Sequence, residues 1–384
     1  MARHMDFFYE TMISYIIWNV SPSIFSIGTF AMRWYGVLFV AGFLLSRQIL
    51  LTILNKKDKT IKEADTIILY LVALSVIGAR LGHVIFYERD LIGSNPIEIL
   101  LPFEFHPAFH FTGLQGLSSH GAVIGILLAL WLYRLRKKSG LGFLELLDSV
   151  AIIIPLMIAF VLAGSFFNAE PVGKLTNSPA GTVFIRPVTD GLVKLPCCIM
   201  RNPGGKNPLD FVSVKKDKGR HSDTTGHRPI ILYLFFKPGA TEQIVNEFLL
   251  GDVKTYLFDA AKFVYEPGTE PLHYTIFVEK DIYTARIMTI GLARHPVQLY
   301  ESISCLFLFV FLFWYWKKRS MTIAPGRIAG YFFVVLWSLR FAYDYLKENR
   351  VPLIDGSTFG MAQALCVPFF IAGVVMTIYA YRKK

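Results

Sequence analysis

Seven stretches of this chain are long and apolar enough to cross a bilayer, which limits the fold more than any other feature. They run over 34–53, 65–87, 120–135, 144–167, 297–316, 327–346 and 362–381. A spanning helix needs about 20 mostly apolar residues, because lipid offers no partner to an unpaired backbone amide. Only 17% of the 384 residues are charged and mean hydropathy is +0.47, against roughly 25% charge in a soluble domain. The expected class is an all-α polytopic membrane protein of about seven transmembrane helices, with an inserted extracytoplasmic α+β module.

Loop charge sets the expected orientation. Lys56, Lys57, Lys59 and Lys62 follow the first span, and Arg134, Arg136, Lys137 and Lys138 the third. Lys317, Lys318 and Arg319 follow the fifth, and Arg382, Lys383 and Lys384 the last. Basic clusters stay cytoplasmic, so the N-terminus is expected outside and the C-terminus in the cytoplasm, which requires an odd number of spans. The domains then read as an extracytoplasmic amphipathic arm (1–33), spans one to four (34–185), the inserted module (186–293) and spans five to seven (294–384). The module carries 14 basic and 12 acidic residues, so most of the net charge of +11 belongs to the loop clusters. A nucleic-acid partner is therefore not expected. The first residues lack the charged, apolar and small-residue succession of a cleavable signal, and no internal repeat stands out. Cys197, Cys198, Cys305 and Cys366 form no CxxC pair, so no metal is expected. Within the module, 228–237 and 273–279 read as strands, 241–250 as helix, and the Gly-, Pro- and Lys-rich 201–220 as a loop.

The orientation gives the polar residues their meaning. Tyr35 and His120 stand at the outer starts of spans one and three. Arg80, Asn168, Glu170, Arg340 and Asp344 fall in the outer parts of spans two, four and six, and Arg294, His295, Gln298, Tyr300 and Glu301 mark the outer start of span five. An arginine at membrane depth costs roughly 2.5–3.5 kcal/mol on insertion scales, so Arg340 needs a reason to be there. Each residue alone has a plainer explanation. His120 could be an interfacial helix-start residue, Arg340 and Asp344 an i,i+4 ion pair, Glu170 a solvated carboxylate, and Arg80 a ligand of helix-end carbonyls. Chance would scatter such groups over both leaflets, whereas these gather on one, which points to a wet cavity open to lipid.

Several strings carry a resemblance. Arg33-Trp34-Tyr35-Gly36, Gly78-Ala79-Arg80-Leu81-Gly82, Ser119-His120-Gly121-Ala122 and Phe166-Phe167-Asn168-Ala169-Glu170-Pro171-Val172-Gly173 follow one another in order. Arg294-His295-Pro296-Val297-Gln298-Leu299-Tyr300-Glu301, then Arg340-Phe341 with Asp344 and Lys347, then Met361-Ala362-Gln363 complete the series. Together they resemble the bacterial prolipoprotein diacylglyceryl transferases, over most of 33–370. Leu162 and Ser165 stand where that family's signature has an arginine and an asparagine; Arg186 and Arg294 are the cations that could take the arginine's place.

The resemblance implies transfer of diacylglyceryl from phosphatidylglycerol to the lipobox cysteine of a prolipoprotein signal peptide, in the bacterial inner membrane, without a cofactor. A thiol must lose its proton to attack, and the departing phosphate needs a cation. His120 is the expected base and Arg340 the phosphate ligand, with Glu170 and Tyr35 also in the catalytic set. Arg80, Asn168, Gly173, His295, Gln298, Tyr300, Glu301 and Asp344 are the expected substrate-binding residues. A transporter of lipid or small anions, and a non-catalytic relative that binds prolipoproteins, are the alternatives.

Overall fold

The computed structural model describes residues 15–27, 30–88, 103–104, 110–111, 117–135, 140–196, 206–220, 224–319, 322–348 and 359–383. Cys197, Cys198, the loop charges Arg136, Lys137 and Lys138, and residues 1–14 of the expected arm lie outside them. In chain order the helices are α1 (Trp34–Asn55), α2 (Ile61–Tyr87), α3 (Ser119–Arg134), α4 (Phe143–Phe167), α5 (Arg186–Lys194), α6 (Glu242–Glu247), α7 (Lys254–Asp259), α8 (Val297–Arg319), α9 (Arg327–Asp344) and α10 (Met361–Arg382). A π-helical turn, Phe248–Val253, links α6 to α7. By length and composition α1, α2, α4, α8 and α10 can cross a membrane. The two other stretches expected to span are also helical. Helix α3 has 16 residues, and the 18 of α9 include Arg327, Arg340 and Asp344.

The chain divides into two compact units. One, here the helical unit, comprises Val37–Leu162, Glu301–Tyr345 and Arg350–Lys384. Its core joins Leu50 and Leu54 of α1, Leu130 of α3, Ile152 of α4, Leu312 of α8 and Phe332 and Trp337 of α9. Its outward residues are apolar as well: Leu69 is 66% and Phe307 72% exposed. Large apolar side chains facing outward on apolar helices are what a lipid solvent permits.

Helix ends in this unit are fixed by identifiable side chains. Thr60 and Glu63 form a reciprocal capping box at the start of α2, with Thr60 N donating to Glu63 Oε2 at 2.9 Å. Ser118 accepts from Gly121 N to start α3. The buried carboxylate of Asp148 accepts from Gly326 N and Ala329 N, both at 2.7 Å, capping α9 from α4. A negative group at a helix N-terminus satisfies amides that the helix leaves open and complements its dipole.

The other unit, the sheet unit, comprises Met1–Gly36, Ala163–Tyr300 and Leu346–Asn349. Its strands are β1 (Ile16–Trp18), β2 (Ser23–Ile27), β3 (Phe30–Arg33), then, after the helical unit's short pair β4 (Phe103–Glu104) and β5 (His110–Phe111), β6 (Thr182–Phe184), β7 (Leu209–Lys216), β8 (His227–Phe236), β9 (Val264–Tyr265), β10 (Tyr274–Glu279) and β11 (Ile282–Arg294). The main sheet runs β1-β6-β11-β8-β7, with β9 and β10 also on β11. Among the described strands only β1 and β6 pair in parallel, Ile16 opposite Thr182. Leu232, Leu234 and Ile287 pack with Val188 and Leu192 of α5, Val245 of α6 and Leu257 of α7. Lys280 and Asp281, both at positive φ, make the two-residue turn joining β10 to β11, the backbone that matches strand twist in a tight hairpin.

The strands expected at 228–237 and 273–279 are β8 and β10, and the helix expected at 241–250 is α6 with its π turn. One expectation is corrected. Within the 201–220 stretch read as a loop, Leu209–Lys216 is strand β7, antiparallel to β8. Pro203, Gly204, Gly205 and Pro208 precede the strand and Gly219 follows it, and Phe211, Ser213 and Lys215 share one face opposite Tyr233 and Phe235.

Candidate active site

The position of His120 is set by a glycine crossing between α2 and α3. A Cβ on Gly121 would strike the carbonyl of Gly78, one on Gly125 the carbonyl of Leu74, and one on Gly82 would stand 2.6 Å from Gly121 Cα. Backbones this close require glycine on both sides, the usual solution where apolar lipid gives helices no other reason to associate. The strings Gly78-Ala79-Arg80-Leu81-Gly82 and His120-Gly121 are thus two halves of one contact.

The imidazole that this contact presents is buried, 3% exposed. It stacks on Trp337 of α9, with ring centroids 5.0 Å apart and planes at 25°. Trp337 in turn stacks on Phe369 of α10 at 4.6 Å. Cys366, one turn before Phe369, sets its Sγ 3.8 Å from His120 Nε2. Gln363, another turn back and fully buried, accepts from Gly360 N and donates to the Phe341 carbonyl, tying the start of α10 to α9.

Arg340 lies one turn beyond Trp337 on α9, so the guanidinium and the imidazole belong to the same end of the helical unit. Its Nη1 stands 3.6 Å from Oε2 of Glu301, whose side chain is 4% exposed. The carboxylate set against Arg340 thus comes from α8, whereas the plainer reading of the spacing had offered Asp344, one turn on along α9. Asp344 is buried and lies with Arg340 and Cys366 within Coulombic reach of the Tyr87 phenol. Arg80 reaches Glu88 at 3.7 Å, and His83 reaches the same carboxylate at 3.4 Å. His120, Arg340, Arg80, Glu301 and Asp344 therefore share this unit.

Beside them is a cavity of about 440 Å³. Its wall is almost wholly apolar, from Phe39 and Phe43 of α1 through Val72 of α2 and Ile154 of α4 to Leu336 of α9. Arg340, Trp337 and Ser119 line it too, as does Leu162. The position that the signature would fill with a cation therefore adds apolar surface to this wall.

The remaining expected residues belong to the sheet unit. Tyr35 packs on Gly164, where a Cβ would meet Tyr35 Cα at 2.9 Å. Asn168 is half-buried, and Glu170, largely exposed, faces Lys262 Nζ at 3.4 Å. The Gly173 carbonyl accepts from Arg294 Nη1 at 3.1 Å, and a Cβ on Gly173 would strike the carbonyl of His295. Arg294 also donates to the Lys262 carbonyl and pairs with Glu348 at 3.2 Å. Its charge is thus spent on joining three segments, and Arg186 is paired with Asp190 at 2.8 Å. His295 Nδ1 and Tyr300 Oη are 3.5 Å apart, and burial lowers the His295 pKa below its ordinary value. Gln298 is 1% exposed, and neither atom of its amide has a hydrogen-bond partner among the described residues.

Sequence reasoning singled out His120, Arg340 and the strings that hold these glycines, but gave no sign of what surrounds the imidazole. Cys366 and Phe369 are spaced i,i+3 on α10, a signal of a shared face, yet nothing in the sequence says that the face meets His120.

The family model described as prolipoprotein diacylglyceryl transferase matches residues 22–379. The chain is 25% identical over 371 residues to the phosphatidylglycerol–prolipoprotein diacylglyceryl transferase of Tolumonas auensis, covering 96% of this chain and 99% of that one. It is 23% identical to the protein of the same name from Bacteroides fragilis over 373 residues, 96% of each. With the one from Chloroherpeton thalassium it shares 35% identity over 174 residues, 45% of this chain and 60% of that one.

Proposed function

Since the chain belongs to the prolipoprotein diacylglyceryl transferase family, we propose that it transfers the diacylglyceryl group of phosphatidylglycerol to the lipobox cysteine of a prolipoprotein. The cysteine sulfur attacks the glycerol carbon that bears the phosphate. A carbon–sulfur bond forms, the carbon–oxygen bond breaks, and glycerol phosphate leaves with the bonding electrons. The observation that carries this reading is the apolar-walled cavity lined by Arg340 and by Trp337, the residue on whose ring His120 stacks. An acyl chain fits such a wall, a cation suits the phosphodiester, and a base is at hand for the thiol.

His120 takes the thiol proton, an imidazole with an ordinary pKa of about 6.5 being suited to do so near neutrality. Arg340 holds the phosphate, whose charge develops in a site of low dielectric where a fixed cation acts strongly. Glu301 orients Arg340 through the 3.6 Å contact. Arg80 and Asp344 complete the polar group, and Leu162 contributes to the chain-binding wall. Glu170 and Asn168, two residues apart, offer a carboxylate and an amide to the hydroxyls of a glycerol head group, with Tyr35, His295, Gln298 and Tyr300 further contributors to substrate binding.

The topology proposed with it has seven spans, α3 and α9 included, in the bacterial inner membrane, with the N-terminus outside, the C-terminus cytoplasmic, and 186–293 an extracytoplasmic module. The test is purified protein in phosphatidylglycerol vesicles with a lipobox peptide, followed by mass spectrometry of the peptide. A thioether-linked diacylglyceryl adduct with matching glycerol phosphate release is expected. Lipid and peptide binding without either product would mark a non-catalytic relative, the reading that Leu162 in the signature favours.

A further inference from the structure

We propose that the ion pair of Arg47 and Asp65 closes one end of the apolar cavity and so limits the length of acyl chain that the protein accepts. The inference rests on the reading of the cavity as the acyl site and adds what selects among chains. Arg47 Nε donates to Asp65 Oδ1 at 2.9 Å and Nη2 donates to Oδ2 at 3.0 Å, a bidentate contact that bridges α1 and α2. Neither residue belongs to the polar group around His120. Both lie within helices apolar enough to cross a membrane, where charge is costly unless it has a use. Arg47 also lines the cavity, so its guanidinium-bearing side chain is both part of the wall and a strut between two helices.

The pair stands at the end of the cavity away from Arg340. On α1 the wall begins at Phe39 and stops at Arg47; on α2 it stops at Ile68, with Asp65 less than one turn further on. The other end is fixed by Ser118, whose N donates to the Ala79 carbonyl at 2.9 Å and sets Ser119 and His120 beside the later part of α2. The stretch of α2 from Asp65 to Ala79 is about 21 Å long at ~1.5 Å per residue. An extended hydrocarbon advances about 1.25 Å per carbon, the projection of a bond of ~1.5 Å, so that depth takes about 17 carbons. The volume agrees. A space of about 440 Å³, at roughly 30 Å³ for each group the size of a water molecule, holds about 15 of them. One acyl chain fits, and two do not. A methylene gains little by moving from lipid to an apolar wall, so chains that stop short of the pair should be accepted alike. A longer one must press its end against a charged pair or buckle in a filled space, and both are unfavourable.

The test uses full-length protein and a lipobox peptide in fluid phosphatidylcholine vesicles that carry equal, minor amounts of saturated phosphatidylglycerols. Their chains run from about 12 to 20 carbons, which brackets the depth of the cavity. The masses of the peptide adducts report which lipids were used. Wild-type protein should use chains of up to about 16 carbons alike and those of about 20 carbons at least 5-fold less, as overpacking predicts. The side chains of Arg47 and Asp65 are 34% and 47% exposed, so Arg47→Ala/Asp65→Ala removes both without leaving a buried charge. That variant should use both lengths alike. Ile68→Trp adds bulk to the wall beside the pair and should move the fall to chains shorter than about 16 carbons. Equal use of all lengths by the wild type, or a wild-type profile in either variant, would overturn the proposal. If no adduct forms with any lipid, the transferase reading falls, and native mass spectrometry of protein ejected from the same vesicles tests the ruler alone. Bound lipid depleted in the longest chains then supports it, and bound lipid that mirrors the vesicle overturns it.

Discussion

The crossing of α2 and α3 allows a quantitative test far from any reacting atom. In Gly82→Ala, the new Cβ stands 2.6 Å from Gly121 Cα and 3.1 Å from Gly121 N. Carbon atoms rest at about 3.5–4.0 Å from one another, so the two backbones must part by roughly 1 Å at the residue next to His120. Overpacking of this kind costs about 1–3 kcal/mol, against a typical total stability of about 5–15 kcal/mol, so the variant should fold and insert. A misplacement of about 1 Å at a catalytic group can cost ~10²-fold in rate. Gly82→Ala should therefore lose about 10²-fold in kcat for thioether formation, with KM values within a few-fold of the wild type and a thermal midpoint only modestly lowered. Gly251→Ala, where an added methyl group would meet nothing within 4 Å, is the control and should behave as wild type. If folded Gly82→Ala protein transfers at a rate within twofold of the wild type, the glycine contact does not set the position of His120.

Arg340→Ala should reduce kcat by about 10²–10³-fold, the loss usual for one preorganised group that stabilises developing charge. Arg340→Lys should recover only part of it, since an ammonium lacks the planar fork; equal rates for the two variants would exclude a phosphate contact. Ile154→Trp fills the apolar cavity and should raise KM for long-chain phosphatidylglycerol while sparing a short-chain analogue, measured with the same peptide; equal effects on both lipids would place the acyl chain elsewhere. Burial lowers the pKa of both His227 and His295 in the sheet unit. Above about pH 6.5 both are neutral whether folded or unfolded, and as pH falls the unfolded chain takes up protons first. Stability should thus decline below about pH 6.5 until the folded pKa values are passed, and His227→Gln/His295→Gln protein should show a flatter melting-temperature profile between about pH 7.5 and 5.5. An unchanged slope would locate the acid sensitivity in other groups.

Helices were legible because lipid imposes a length and an apolarity that composition alone displays, as in α4 and α10. Strands β8 and β10 were legible from short-range pattern. Strand β7 was not, because Gly204, Gly205 and Pro208 stand ahead of it and its alternation starts only at Leu209. Strand β1 has three residues and a partner 166 positions away, so no local window contains its reason to be extended. The same limit applied to the site. Residue types and the positive-inside rule placed His120 and Arg340 on one side, and the family strings marked Gly78, Gly82 and Gly121. The choice of Glu301 over Asp344 as the carboxylate against Arg340, and of Cys366 against His120, depends on which helix faces which. That information is tertiary.

The parallel pairing of β1 with β6 has a consequence for how the protein is made. Ile16 leaves the ribosome early, yet its partner Thr182 is 166 residues behind it, about 8–33 s at ~5–20 residues per second. Strand β11, which lies on the far side of β6 and joins it at Ala293 and Arg294, arrives later still. Strand β1 must be kept from other partners through that interval, while α1 to α4 are being made. Removing the first twenty residues would leave every described helix intact but bare the outer edge of Val183, a ready template for a neighbouring molecule to extend.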